Sequence, residues 1–142
     1  MGLDRLQRKE IVGGVMALEK QMRTDVVEGV TVISFGSTAT TLHGKLVDEM
    51  EPTLLAAARG ARNRLLVDLD HVDFFNSTLI ELLVRCWKIV RGTPRGQFAL
   101  CNLQPYCREV LEVTNLTHVW PIFPDRATAL AALKNQDAAT SV

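Results

Sequence analysis

The chain has 142 residues, is 47% hydrophobic, and balances 16 Lys+Arg against 16 Asp+Glu for a formal net charge of +0. That size suits one compact domain whose core needs neither disulfides nor a metal. The even charge argues against a nucleic-acid-binding protein, which shows a basic excess or stripe. Cys86, Cys101 and Cys107 form no CxxC pair, so they are expected to stay thiols in a reducing compartment. The N-terminus lacks the apolar run of a signal peptide, and no stretch reaches the roughly 18 apolar residues of a membrane span. A cytoplasmic protein without a membrane span is the expectation.

Residues 1–20 carry Leu3, Leu6 and a basic group before Gly13-Gly14. Paired glycines weaken a helix, so this part reads as an extension, partly helical or flexible. Met22 to Phe35 reads as a hairpin, with β-branched runs on either side of Glu28-Gly29. Gly36 to Thr41 is small and polar, hence a loop. A helix is expected from about Leu42 to Arg59, because Leu42, Leu46, Met50, Leu54 and Ala58 recur at steps of four. Pro52 should kink it or mark a restart, and Gly60 should end it.

Arg64 to Asp70 is nearly continuous in apolar residues, as in a strand covered on both faces. Phe75-Asn76-Ser77-Thr78 then reads as an exposed turn into an apolar helix from Thr78 to Arg91. On that helix Glu81, Arg85 and Lys88 share one stripe, and Glu81 and Arg85 stand in the favourable i,i+4 order. Gln97 to Leu103 reads as a strand. Pro105 suits the first turn of a helix to about Val113. Val119 to Phe123 contains Pro121 and so belongs at a sheet edge. Asp125 is a good cap for a last helix over Arg126–Lys134, and residues 135–142 read as a disordered tail. The fold class is therefore α/β. Its sheet is small and mixed, largely parallel, with an N-terminal β-hairpin and about four helices. The domain spans 21–134.

The junction around Ser77 is the candidate site. The first N–H groups of a helix lack intrahelical partners and carry partial positive charge. Asn76 or Ser77 can cap them, and Thr78 with Glu81 also fits a capping box. The two registers compete. A phosphate on Ser77 would be tolerated by the helix end yet would change the surface by about −1.5 to −2 charges. That is suitable physics for a binding switch. Other constellations are weaker. His43, His71 and His118 have no i,i+4 pairing for a metal, no phosphate-cradling glycine loop is present, and no GxSxG elbow surrounds Ser77.

The run LLVDLDHVDFFNSTLIELLVRCWKIV resembles the core of the STAS domain, the sulfate transporter and anti-sigma factor antagonist family. The family signature is an apolar strand, an acidic turn, a Phe-x-Asp-Ser-(Ser/Thr)-Gly-type motif and an apolar helix. The stretch CNLQPYCREVLEVTNLTHVWPIFPDRATALAAL is also similar, and the likeness covers about Met22 to Leu133. The resemblance implies a STAS-type fold and a non-enzymatic regulatory protein without a cofactor. It implies a protein partner, an anti-sigma factor or serine kinase, and leaves room for a homodimer. It places Ser77 at the phosphorylated serine, with Thr78 as the alternative. The implied partner-binding residues are Asn76, Ser77, Thr78, Leu79, Ile80 and Leu83. Asn76 stands where the family usually has Asp, Leu79 where many members have Gly, and Gly36-Ser37-Thr38-Ala39 lacks an acidic residue often found there. An alternative role is a structural subunit of a signalling scaffold or transporter complex, never phosphorylated.

Overall fold

The computed structural model describes residues 22–36, 41–42, 44–61, 63–75 and 77–141, with backbone alone at 41–42, 44–47, 74–75 and 135–141. Expectations for residues 1–20, for Asn76 and for Ser37–Ala39 lie outside the described residues. The hairpin forms as its turn chemistry dictates. Strand β1 (Met22–Val27) pairs antiparallel with β2 (Val30–Phe35), and Met22 faces Phe35. Glu28 and Gly29 both take positive φ, 51° and 82°. This is the primed two-residue turn whose twist matches the strands.

From β2 onward every pairing in the main sheet is parallel. Strand β4 (Arg64–Asp68) lies between β2 and β6 (Gln97–Cys101), and β7 (Ile122–Phe123) closes the far edge beyond β6. Central β4 is buried on both faces, which explains its apolar run. Helices α1 (Gly44–Gly60), α2 (Ser77–Arg91) and α3 (Pro105–Val113) cover one face. Their inward residues, among them Met50, Leu54, Leu79, Leu83, Cys107 and Leu111, meet Ile33, Leu65, Val67 and Leu100 of the sheet. Helix α4 (Arg126–Ser141) covers the other face with Ala129 and Leu133 against Val32, Leu66 and Ala99.

The structure corrects several expectations. Thr41–Leu42 (β3) pairs in parallel with Phe74–Phe75 (β5) as a separate two-stranded sheet, so α1 begins at Gly44 rather than Leu42. Two-residue strands leave no period for a sequence to show. Helix α1 runs through Pro52 without a restart. Pro52 is exposed, so the carbonyl it leaves unpaired is on the wet side of the helix. Strand β4 ends at Asp68 and β6 at Cys101, two residues short of each expected end, because Asp68 and Asn102 turn to a polar network. Helix α2 starts at Ser77, one residue early. Helix α4 extends through residues 135–141, where a disordered tail was expected; NQDAATS holds no Pro or Gly to stop it.

Candidate functional site

Ser77 is the first residue of α2 and is exposed; Thr78 is half-buried. With Thr78 already inside the helix, the capping-box register built on Thr78 and Glu81 is excluded. The remainder of the first turns divides sharply by face. Leu79 and Leu83 are 0% exposed. Both were expected to touch a partner, and both instead anchor the helix in the core. Ile80 and Val84 are half-buried on its flank, and Glu81 is exposed. The accessible surface at the helix start is thus Ser77 and Thr78, bordered by Ile80, Glu81 and Val84. Arg85 does not pair with Glu81 as its spacing suggested. Its Nη1 lies 3.2 Å from Glu51 Oε2 on α1. Both side chains are about half exposed, so the pair is worth at most about 1 kcal/mol.

The connection from β4 to α2 is fastened at several points. Asp68 ends β4 and is 5% exposed. Its Oδ1 accepts from the Asp70 backbone N–H at 3.1 Å and from Asn102 Nδ2 at 3.0 Å. Its Oδ2 accepts from Arg126 Nε at 2.9 Å. Gln104 Nε2 donates to the Asp70 carbonyl at 2.7 Å, and the Leu69 N–H to the Cys101 carbonyl at 3.0 Å. Val72 is buried in the core, and Cys107 Sγ lies 3.5 Å from its carbonyl. A buried carboxylate with three donors is well satisfied. The network ties β4, β6 and α4 together at the carboxyl ends of the strands, where open α/β sheets present their binding surfaces.

Sequence reasoning missed this network. A charge inside the apolar run LLVDL was the available signal, since buried charges are paired. Asn102 takes φ 56°, a left-handed conformation that Asn tolerates. Beside the network, Ser34, Phe35, Asp68, Asp70, His71 and Arg126 line a cavity of about 150 Å³. His71 is half exposed, and its Nε2 lies 3.9 Å from Asp70 Oδ2.

All three cysteines are free and buried. Burial pushes the thiols up, Cys86 to about 11 and Cys101 and Cys107 to about 12. Neutral, enclosed thiols are poor nucleophiles and ligands. Among the described residues no group of His, Cys, Asp and Glu is placed to hold a metal, and no helix is long and apolar enough to cross a membrane.

The comparisons with known proteins converge on this architecture. BtrV of Bordetella bronchiseptica, assigned by name as an anti-sigma factor antagonist, is 29% identical over 87 residues, 61% of this chain and 74% of its own. An anti-sigma factor antagonist (STAS) domain protein from Planctomyces limnophilus is 43% identical. Its structure superposes with a TM-score of 0.77 over 80% of this chain and 98% of its own. The Bacillus cell-fate determinant SpoIIAA shares the fold at lower identity. Its unphosphorylated form gives a TM-score of 0.67 at 18% identity, over 80% of this chain and 96% of its own. Its phosphorylated form gives 0.61 at 19%, over 79% and 98%. The STAS domain family itself matches residues 21–129, taking in the hairpin, the Ser77 junction and the start of α4, and this chain belongs to that family.

Proposed function

We propose that the protein is a non-enzymatic anti-sigma factor antagonist of the cytoplasm, which binds an anti-sigma factor with serine-kinase activity through the start of α2 and is released when Ser77 is phosphorylated. The observation that carries this reading is the placement of Ser77. It is exposed at the first position of a helix whose next inward residues, Leu79, Leu82 and Leu83, are core. A phosphate there leaves the packing untouched and sits at the positive end of the helix dipole. It adds charge and bulk where a partner would touch Ile80 and Val84. The relatives named as anti-sigma factor antagonists, and the solved phosphorylated form of SpoIIAA, agree with this use of the fold.

The test is a binding titration against the anti-sigma factor of the same cell. Ser77→Asp is expected to weaken binding at least about tenfold, and Ser77→Ala to bind like the parent while refusing phosphate. Equal binding by Ser77→Asp overturns the proposal. The same substitution at Thr78 should be weaker, because that side chain is half-buried.

A second reading is favoured by Asn76, which lacks the acidic charge of the family motif. Here the same surface docks permanently in a scaffold or transporter assembly, and Ser77 is never modified. Mass spectrometry of the protein from its native cell separates the two, since a phosphorylated Ser77 peptide excludes the second.

A further inference from the structure

Strand β1 stands at one end of the main sheet with β2 as its neighbour, and among the described residues no strand lies on its other side. The hairpin fixes which of its backbone groups face that open side. A two-residue turn closes on a hydrogen-bonded pair, here Val27 with Val30. Such pairs alternate along an antiparallel ladder. Asp25 and Arg23 therefore exchange bonds with Val32 and Ser34, their partners in register. Met22, Thr24 and Val26 point their N–H and C=O groups outward. An edge of this kind is a template for another strand. No proline interrupts MRTDVV, and Val26 is 72% exposed. Arg23 and Asp25 are two residues apart and so share one face of the strand. Arg23 Nη2 lies 3.5 Å from Asp25 Oδ1, and the Arg23 side chain is 73% exposed.

We infer that this edge is a self-association surface, on which β1 of a second copy pairs antiparallel about a two-fold axis at Thr24. The signs of the charges select that register. An axis at Arg23 would set two guanidinium groups face to face, and an axis at Asp25 two carboxylates. An axis at Thr24 sets Arg23 of each copy against Asp25 of the other. These fall at non-hydrogen-bonded positions, where cross-strand side chains come closest. Thr24 then exchanges bonds with Thr24 of the second copy, and the exposed Val26 comes opposite Met22. A patch that is complementary to itself is what a closed two-fold dimer requires. Charges of a single sign would have blocked the edge instead. The surface is built from β1 alone, so the inference does not depend on the function proposed above.

The test is sedimentation equilibrium of the full chain from about 10 µM to about 1 mM, a range suited to a small contact. A monomer–dimer equilibrium is expected. Arg23→Asp sets carboxylates against one another, and Asp25→Arg sets guanidinium groups so; each should weaken the dimer about tenfold or more. The decisive arm mixes these two variants. An equimolar mixture should dimerise at least as readily as the parent, because every facing pair of charges is then opposite. Variants that had merely lost their fold would not recover in this way. Thr24→Pro deletes an outward N–H and leaves the β1–β2 bonds in place. It should abolish the dimer while the far-UV circular dichroism stays that of the parent. A parent that remains monomeric throughout overturns the inference, as does a dimer that survives Thr24→Pro. Single variants that lose the dimer without regaining it on mixing overturn the register, and the inference with it.

Discussion

Two regions of the same sheet treat buried polarity in opposite ways. At the carboxyl ends of β4 and β6, Asp68 meets three donors, and each links a different segment to the end of β4. At the β7 edge, Gln97 Oε1 and Trp120 Nε1 meet none among the described residues. Both places are largely shut off from water, so the difference lies in partners. A satisfied network fixes geometry, because moving any member strands the others. A buried polar atom without a partner bears its desolvation cost uncompensated. The first region has the properties needed to hold the Ser77 junction in one shape. The second has no such fastening among the described residues.

The largest effect should come from breaking the satisfied end. Asp68→Ala strands the Asn102 amide and the Asp70 N–H and frees Arg126. Removing a buried charge from its hydrogen bonds costs roughly 3–5 kcal/mol; because the Arg126 side chain is 38% exposed and can rehydrate, we expect about 3 kcal/mol. The midpoint of urea unfolding should fall accordingly with an unchanged slope. A loss under about 1 kcal/mol would mean that the network is not a structural fastening.

The contrast also shows what a sequence displays. Features set by near neighbours were legible. The Glu28-Gly29 hairpin, the start of α3 at Pro105 and the edge position of Pro121 each follow from one or two residues. Asp125 likewise caps α4, its Oδ1 accepting from the Thr128 N–H at 2.7 Å. The exposed place of Ser77 at the start of an apolar helix was legible for the same reason, since a polar cluster between a strand and an apolar run is a local pattern. Long-range polar pairing was not. Asp68 meets Asn102 across 34 positions and Arg126 across 58, and no periodicity records such a match. Helical spacing placed Leu79 and Leu83 beside Ser77 in the chain, but three-dimensional packing decided that they face inward. The spacing of Glu81 and Arg85 likewise lost to Glu51 on a neighbouring helix.

A change of opposite sign is expected at the unsatisfied end. Gln97→Met keeps the length of the side chain and deletes the orphan carbonyl. Removing an unpaired buried polar atom should be neutral or stabilising, by up to about 1 kcal/mol. Urea unfolding against the parent measures it. A clear destabilisation would show that the Gln97 amide is bonded in solution, and the contrast between the two regions would then narrow to Trp120.

The smallest effect belongs to Asp125, whose bond at the start of α4 is local and fully exposed. The Thr128 N–H donates to its carboxylate and holds the group below its ordinary pKa of 3.8. A lowered native pKa means that the unfolded chain binds the proton more readily. The cap's contribution is therefore present above the ordinary pKa and fades as pH falls through the native one. Asp125→Ala should lower Tm slightly at neutral pH, and the gap to the parent should close in acid. Asp125→Asn caps without a titrating charge, so its own cap bond should not weaken in acid. If the Asp125→Ala gap instead stays constant down to the acid limit, the carboxylate charge contributes nothing, and the cap acts as a neutral hydrogen bond alone. Either result leaves the Asp68 network unaffected, because Asp125 bonds within its own helix start whereas Asp68 joins strands distant in the chain.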